Sequence, residues 1–305
     1  MPGRAPGHRF RPLRTAGTGR RAALPDPPRR LSPRPPAPAA LLLLVLLLLA
    51  PALSGCVPQW ARPVAIPPWP AGPTPTWQWQ LRGEFDPNVD AEVFVLDAFR
   101  TPVEDIRRLR ERDRRAVCYV SVGTYEPDRP DAERFPETVL GAPAHADGDR
   151  WLDIRQWSAL EPVLADRFRL CYGKGFTAVM PAHMDGYARE SGFPLTFDDQ
   201  LVFNRRLAAL ARSAKLSPGL TNDLEQVVAL EPSFDFAVNE QCFQQAECDQ
   251  LLPFVEARKP VFQVEYDELA DDTCVAAQGY GFATIRKEPD LGPWRDLCLT
   301  APPAR

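Results

Sequence analysis

Side chains able to exchange a proton recur where short apolar runs end in this 305-residue sequence. The stretch 179–187, VMPAHMDGY, passes from an apolar run to His183 and Asp185. Farther along, Glu240 stands between two amide side chains. Glycoside hydrolysis uses two carboxyl groups that flank the scissile bond, one as acid and the other as nucleophile or base. The carboxyl groups of Asp185 and Glu240 and the imidazole of His183 could take part in such chemistry.

Other polar and aromatic side chains follow the same apolar runs. We predict that a set of them binds the substrate: Asp97, Tyr119, Tyr125, Tyr187, Asn222, Asp223, Asn239, Gln241 and Glu265. Trp77, Trp79 and Trp151 add faces on which sugar rings could stack. The alternative for any single residue is a structural role, such as capping a strand or packing beneath a loop. Convergence of the whole set on one face favours a binding site.

Eight apolar runs must position these groups. They are WQWQL (77–81), EVFVLD (92–97), AVCYVSVG (116–123), FTAVMP (176–181), LSPGLTN (216–222), DFAVNEQ (235–241), PVFQVEY (260–266) and GFATIRK (281–287). Segments that can form helices lie between most of them: 102–112, 160–174, 198–214 (with Asp198 able to cap it), 224–230 and 248–257.

Strands that alternate with helices predict a parallel sheet, and eight of them fit a (β/α)8 TIM barrel. The active site of such a barrel lies at the C-terminal ends of its strands. A doubly wound open sheet is the competing fold, but no glycine-rich nucleotide motif follows the first strand. Residues 124–156 have no clear period, and we expect a loop that walls or covers the site.

The N-terminal part of the chain predicts export. Residues 1–38 are rich in Arg, Pro and Gly and are expected to be disordered. The apolar run 39–52 is short for a membrane-spanning helix and typical of a secretory signal. It ends in Leu-Ser-Gly-Cys56, which resembles a bacterial lipobox, although a plain signal peptide or a membrane anchor remains an alternative.

We therefore expect a lipid on Cys56 that anchors the protein to a bacterial membrane, facing the periplasm or the cell exterior. The predicted organisation is a basic tail with signal peptide (1–55), a Pro-rich tether (56–76), the barrel domain (77–298) and a short tail (299–305).

Composition limits the chemistry further. The formal net charge of −4 excludes a general attraction to nucleic acid. The three histidines are scattered and no CxxC pair occurs, so we expect no metal and no other cofactor. Without Cys56, six cysteines remain, an even number that suggests disulfides after export. The nearest pairs are Cys242 with Cys248 and Cys274 with Cys298, whereas Cys118 could equally be a buried thiol.

Several of these runs together resemble glycoside hydrolase family 114 over about 77–297. They are WQWQL, VFVLDAF, CYVSVGTYEPDRPDAERFP, WLDIR, FDFAVNEQCFQQAECD and VFQVEYD. The resemblance implies a TIM-barrel enzyme of the endo-α-1,4-polygalactosaminidase type. Its substrate would be a cationic, partly de-N-acetylated polymer rich in galactosamine. An acidic rim would be complementary to such a polymer, and we expect it at Asp97, Asp185, Asp223, Glu240 and Glu265.

The sequence departs from the family pattern at the fourth strand. The family reads E-P-D-N-x-D-G-Y, whereas this chain has Met180 for the Glu, Ala182 for the catalytic-type Asp and His183 for the Asn. Thr221 stands where the family favours Lys. Glu240 is retained, and the resemblance implies that it is a catalytic group, with Asp185 and His183 as further candidates.

Three hypotheses follow from these departures. The first is a family member that binds amino-sugar polymer but cleaves it poorly or not at all. The second is an altered hydrolase in which Asp185, Asp97 or His183 replaces the missing carboxylate. The third is a lipid-anchored, non-catalytic barrel that binds a protein partner instead of a sugar.

Overall fold

Twelve strands occur in the part of the chain that the computed structural model describes, residues 68–69, 72–144, 148–268 and 270–298. They are β1 (Trp77–Gln80), β2 (Val93–Asp97), β3 (Arg115–Ser121), β4 (Thr124–Tyr125), β5 (Leu140–Pro143), β6 (Arg150–Leu152), β7 (Ala178–Ala182), β8 (Ser217–Thr221), β9 (Phe236–Glu240), β10 (Val261–Glu265), β11 (Ala283–Arg286) and β12 (Asp296–Leu297). The chain divides into units 1–62 and 63–305, and only the second contains described residues. The predicted tail, signal sequence, lipidation at Cys56 and segment 299–305 lie outside them.

The main sheet has the order β1-β2-β3-β7-β8-β9-β10-β11-β12. Its first eight strands are parallel, and β12 pairs antiparallel with β11. The eight parallel strands coincide with the eight predicted runs, so this prediction is confirmed.

Seven α-helices connect the strands within the same described ranges. They are α1 (Val103–Glu111), α2 (Trp157–Lys174), α3 (Phe197–Ser213), α4 (Val227–Leu230), α5 (Cys242–Gln245), α6 (Leu252–Glu256) and α7 (Asp271–Tyr280). In α3 the cap is Thr196, whose hydroxyl accepts from the backbone N–H of Asp199, so the predicted cap Asp198 is wrong. Thr196 and Asp199 form a reciprocal capping box, which satisfies two backbone donors at once. In this part of the chain, none of the helices combines the length and the apolar character needed to cross a membrane.

Side chains on successive strand positions enter two separate apolar clusters. The inner cluster takes alternate residues from parallel strands that include the first, β1, and the last, β11: Trp77, Trp79, Val93, Val95, Val117, Ala178, Met180, Phe236, Val238, Phe262, Val264 and Ile285. The outer cluster contains residues of the opposite sheet face and of the helices, such as Ile106, Leu164 and Phe203. Because this one cluster contains residues of both the first and the last parallel strand, the sheet must curl around it. The predicted TIM-like α/β barrel is confirmed.

The seam between β11 and β1 is closed by side chains and by segment 288–295. Trp77 Nε1 donates to the carbonyl oxygen of Ala283 over 2.9 Å. Lys287, a buried residue, donates from Nζ to Gln78 Oε1 over 3.1 Å and to the carbonyl oxygen of Gly292 over 2.6 Å. The described residues contain no strand ladder between β11 and β1, so these bonds hold the two strands together.

Trp69 closes the N-terminal end of the barrel, although it lies in the segment predicted as a tether. Its ring centroid is 4.7 Å from that of Phe236 and 5.6 Å from that of Phe262. Its Nε1 donates to Ser217 Oγ over 2.9 Å, and the guanidinium of Arg115 lies 4.0 Å from the ring centroid. This end therefore depends on a residue that precedes the first strand.

The segment predicted as a long loop, 124–156, contains a small antiparallel sheet with the order β4-β6-β5. Thr124 pairs with Trp151, and the β5–β6 pairing shifts register between Leu140 and Pro143. Strands of two to four residues with an irregular register leave no period in the sequence. The segment also supplies one wall of the cleft described below, as expected.

Three disulfides connect the six cysteines of the domain. The predicted pairs Cys242–Cys248 and Cys274–Cys298 are confirmed. Cys118 in β3 pairs with Cys171 in α2, with 5.9 Å between the Cα atoms, and is therefore not a free thiol. This third bridge ties a barrel strand to a helix packed against it.

Candidate active site

A cleft of about 1170 Å³ opens at the C-terminal ends of the parallel strands. It brings together most of the predicted site residues: Asp97, Tyr119, His183, Asp185, Tyr187, Asn222, Asp223, Asn239, Glu240 and Gln241. Trp79 and Trp151 also line it, whereas Trp77 is buried in the inner apolar cluster. The cleft therefore lies where the barrel fold predicts the site.

Two predicted substrate-binding residues, Tyr125 and Glu265, do not line the cleft. The ring of Tyr125 packs edge-on against Phe135, with centroids 6.0 Å apart. Glu265 is buried on the outer face of β10, where Oε1 accepts from the Phe243 backbone N–H over 2.9 Å and from Gln263 Nε2 over 2.6 Å. Its neighbour Tyr266 lines the cleft instead, because side chains alternate along a strand.

Glu240 is held at the end of β9 by three hydrogen bonds. Its Oε1 accepts from Asn222 Nδ2 over 3.2 Å, and its Oε2 accepts from the Tyr266 hydroxyl over 2.5 Å. Its backbone N–H donates to Asn222 Oδ1 over 2.9 Å. Burial raises the pKa of Glu240, and the bonds from Tyr266 and Asn222 partly oppose that rise. A carboxyl group with a raised pKa suits general acid chemistry.

Four cleft residues that follow the strand ends have left-handed backbone conformations. The φ angles are 62° at His183, 53° at Asn222, 51° at Asp223 and 65° at Gln241. Asn, Asp and His are enriched in this region, whereas Gln adopts it at a cost. Strained backbone of this kind concentrates at ligand-binding and catalytic sites, which supports the assignment of this cleft.

Asp223 is buried at the wall of the cleft. Its Oδ2 accepts from Asn204 Nδ2 over 2.7 Å, and its Oδ1 has no hydrogen-bond partner among the described residues. Burial and, secondly, the charge of Asp185 raise the pKa of Asp223 to about 8. Asp223 is therefore mostly protonated at pH 7 and does not present an anion to a substrate.

The other two predicted carboxylates in the cleft form ion pairs. Asp185 Oδ2 accepts from Arg189 Nε over 3.0 Å and also from Nη2 of the same arginine. Asp97 Oδ1 accepts from Arg129 Nη1 over 3.0 Å and from two backbone N–H groups of the loop after β2. Both carboxylates are thus engaged by the protein itself.

His183 is oriented by hydroxyl groups and an aromatic edge. Its Nδ1 lies 3.1 Å from both Ser121 Oγ and Thr124 Oγ1, and its ring stands edge-to-face with Trp151 at 6.0 Å. The backbone of Gly123 passes so close that a Cβ there would lie 1.7 Å from the His183 carbonyl oxygen. This packing supports a hydrogen-bonding and space-filling role for the imidazole.

Acidic groups predominate in the cleft. Among the described residues, eleven Asp and Glu but only four Arg line it. The sequence analysis assigned no role to Glu126 and Arg129, although both lie in the run CYVSVGTYEPDRPDAERFP that resembles the family. It also missed Arg189, which lies outside every such run. Of the two neighbours at the end of the seventh predicted strand, it favoured Glu265 over Tyr266, although strand alternation from Phe262 and Val264 points to Tyr266. Within the described ranges, no group of three or more His, Cys, Asp or Glu could hold a metal ion.

Comparison with known proteins agrees with the resemblance found in the sequence. The model of glycoside-hydrolase family GH114 matches residues 59–301. The crystal structure of Aspergillus fumigatus Ega3 in complex with galactosamine has a TM-score of 0.71 at 29% identity, covering 77% of this chain and 100% of that one. The glycoside hydrolase domain of PelA from Pseudomonas aeruginosa has a TM-score of 0.57 at 15% identity, covering 72% and 96% respectively, a likeness of fold alone.

A comparison with curated proteins gives no match. The family model nevertheless spans most of the sequence, including the barrel strands and the cleft they carry. The chain belongs to glycoside-hydrolase family GH114.

Proposed function

We propose that this protein is an exported, lipid-anchored barrel that binds galactosamine-containing polysaccharide, and that Ala182 impairs its ability to cleave that polymer. One observation carries the proposal. Glu240 is held in an acidic cleft, but the end of β7 contributes Met180 and Ala182 where the family pattern has carboxylates. The binding groove is present, whereas the second member of the carboxyl pair is missing.

The charge of the cleft favours a cationic ligand. Eleven acidic side chains face four arginines in the described lining. Among them, Glu225 forms no salt bridge with a described residue and accepts a hydrogen bond from the Tyr187 hydroxyl over 2.8 Å. A polymer of galactosamine carries an ammonium group on each de-N-acetylated unit, so a cleft of opposite charge would attract it. Ega3, whose crystal structure contains galactosamine, shares 29% sequence identity with this chain.

The geometry also supports impaired cleavage, because the two carboxylates named as replacements for the missing one are already paired. Asp185 is paired with Arg189, and Asp97 with Arg129. Protonated Asp223 is a poor base at neutral pH. General acid–base catalysis accelerates a reaction by about 10²–10⁴-fold. Cleavage should therefore be at least about 100-fold slower than in a family member that has both carboxyl groups.

The proposed location rests on the N-terminal sequence and on the disulfides. The apolar run 39–52 ends directly before the lipobox-like Cys56. Three disulfides in the domain suit an oxidising compartment outside the cytosol. Labelling with a radioactive fatty acid, compared between the full chain and Cys56→Ala, tests the anchor. Equal incorporation of label would contradict it.

Polymer retention and reducing-end release test binding and cleavage separately. We expect the soluble domain to be retained on insoluble polygalactosamine while releasing few reducing ends. The double variant Ala182→Asp with His183→Asn should release at least 100-fold more, and adding Glu240→Gln should abolish the gain. A parent protein that cleaves as fast as the double variant would contradict impaired catalysis, and a parent that is not retained would contradict binding.

A further inference from the structure

Part of the buried lining of the acidic cleft, here called its floor, is neutral. It is formed by Trp79, Met180, Ala182 and Thr221, whose exposed fractions are 2%, 0%, 4% and 2%. None of these side chains carries a charge at any ordinary pH. The cleft therefore offers two environments to a polysaccharide, an acidic rim and a neutral floor.

Two polar groups of this floor are buried without a partner. The indole N–H of Trp79 and the hydroxyl of Thr221 make no hydrogen bond to any described residue. Leaving a buried polar group unpaired is unfavourable, and such groups are rare in native structures. Both residues line the cleft, so a ligand that packs into the floor could supply partners for these buried groups.

Strand register places the hydroxyl of this floor beside a small side chain. Ala178 of β7 pairs with Ser217 of β8, and Val179 pairs with Pro218. The same register continued to the strand ends brings Ala182 next to Thr221. The methyl side chain of Ala182 leaves room that an Asp or Glu would fill, and Met180, two residues earlier, faces the same way along β7.

We propose that this floor is a subsite for the acetamido group of an N-acetylated galactosamine unit. An acetamido group is neutral and presents one carbonyl acceptor, one N–H donor and one methyl group. The Thr221 hydroxyl can accept from the amide N–H, and Ala182 with Met180 on the neighbouring strand offers apolar contact to the methyl group. The Trp79 N–H, on the first strand, is a further donor available to the sugar unit. The inference rests on the proposed function and specifies which unit of the polymer lies deepest.

A free amino group fits the same floor poorly. As an ammonium it has donors only, so it would meet the Trp79 N–H without gaining a carboxylate. Burying an unpaired charge is far more costly than burying a satisfied amide. A partly acetylated chain can therefore place acetamido groups on the floor and ammonium groups along the rim.

Two galactosamine oligosaccharides of equal length test the inference, one with free amines and one chemically N-acetylated. Calorimetry would give the affinity of each for the wild type and for Thr221→Val, which replaces the hydroxyl by a methyl of similar size. We expect Thr221→Val to weaken binding of the acetylated oligomer about 5–10-fold, the loss of one hydrogen bond. Binding of the free-amine oligomer should stay within twofold.

The chain offers a matched control in Thr177→Val. Thr177 is 8% exposed, its hydroxyl is likewise unpartnered among the described residues, and it precedes β7 at the end of the barrel away from the cleft. This variant should bind both oligomers as the wild type does. Ala182→Asp supplies a second measurement, because it puts a charge on the floor. This variant should weaken binding of the acetylated oligomer at least tenfold without weakening binding of the free-amine oligomer.

The outcomes separate the inference from the proposed function. If Thr221→Val changes both affinities equally or neither, and Ala182→Asp spares the acetylated oligomer, the subsite is overturned while polymer binding stands. If the wild type binds neither oligomer, the proposed function fails and the subsite with it. Selective loss of the acetylated oligomer in both floor variants supports the subsite.

Discussion

Asn222 and Glu240 are joined by two hydrogen bonds that run in opposite directions. The Asn222 side-chain amide donates to the Glu240 carboxylate over 3.2 Å, and the Glu240 backbone N–H donates to Asn222 Oδ1 over 2.9 Å. Asn222 does this from a left-handed conformation, with φ at 53°. The turn after β8 and the orientation of the carboxyl group on β9 are therefore specified together.

Replacing Asn222 by Gly should raise the pKa of Glu240 further. Glycine keeps the left-handed turn, but the hydrogen bond that lowers the pKa of Glu240 is lost. A carboxyl-carbon NMR titration of the domain measures the change. Asn222→Ala is the control for backbone strain and should show the same direction of shift with about 1 kcal/mol less stability. An unchanged or lower pKa in Asn222→Gly would show that the amide does not support the ionised carboxylate.

Asp223→Asn should stabilise the domain increasingly as pH rises from 5 to 8. The pKa of Asp223 is raised to about 8 in the folded state, above an unfolded value near 3.9. The folded state thus binds the extra proton, and its stability falls as pH rises through this window, by at most ~1.4 kcal/mol per unit. Asparagine removes the titration and keeps an oxygen for the bond from Asn204.

Urea denaturation at pH 5 and pH 8 checks this pH dependence. Asp249→Asn, at an exposed position, serves as the control. It should change the free energy of unfolding by the same amount at pH 5 and at pH 8. A difference between Asp223→Asn and the wild type that is the same at pH 5 and pH 8 would rule out a titrating Asp223.

Lys287→Met should destabilise the barrel by about 2–4 kcal/mol, because several buried acceptors lose their donor. These acceptors are Gln78 Oε1 and the carbonyl oxygens of Gly292 and Trp294. Amide hydrogen exchange should accelerate in segment 288–295. Lys259→Met is the comparison, since Lys259 is half-buried and bonds to Glu231. An equal effect of the two variants would mean that the seam does not depend on Lys287.

The loss in the free energy of unfolding on removing a disulfide should increase with the length of the loop that the disulfide closes. The sequence separations are 53 for Cys118–Cys171, 24 for Cys274–Cys298 and 6 for Cys242–Cys248. Chain-entropy estimates are about 4, 3.5 and 2 kcal/mol respectively. Paired Cys→Ala variants measured by urea denaturation test the ranking. The reverse order would point to packing around the bridges as the dominant effect.

Strand alternation explains which site residues could be predicted from the sequence. Apolar runs identify the strands, and their inward positions lead directly to Asp97, Tyr119 and Glu240 at the cleft. Glu265 is acidic, yet it occupies the outward position beside the inward Tyr266. The strand period therefore places Tyr266, and not Glu265, at the cleft.

Other groups depend on tertiary contacts that leave no periodic signal. Arg189 and Arg129 neutralise Asp185 and Asp97 from loops, so the sequence shows two carboxylates where the fold presents two ion pairs. The small sheet of residues 124–152 likewise leaves no periodic pattern in the sequence, because its strands are short and its register shifts. Local patterns predicted the barrel, whereas the ionic state of its rim required the folded structure.

Trp69 bears on the solubility of the isolated domain. A protein that began at Trp77 would lack the indole that covers Phe236 and Phe262, two side chains that are fully buried in its presence. An open aromatic patch at the base of a barrel favours self-association. The shortest form that stays monomeric at high concentration should therefore start before Pro68, whose carbonyl oxygen also accepts a hydrogen bond from Arg115.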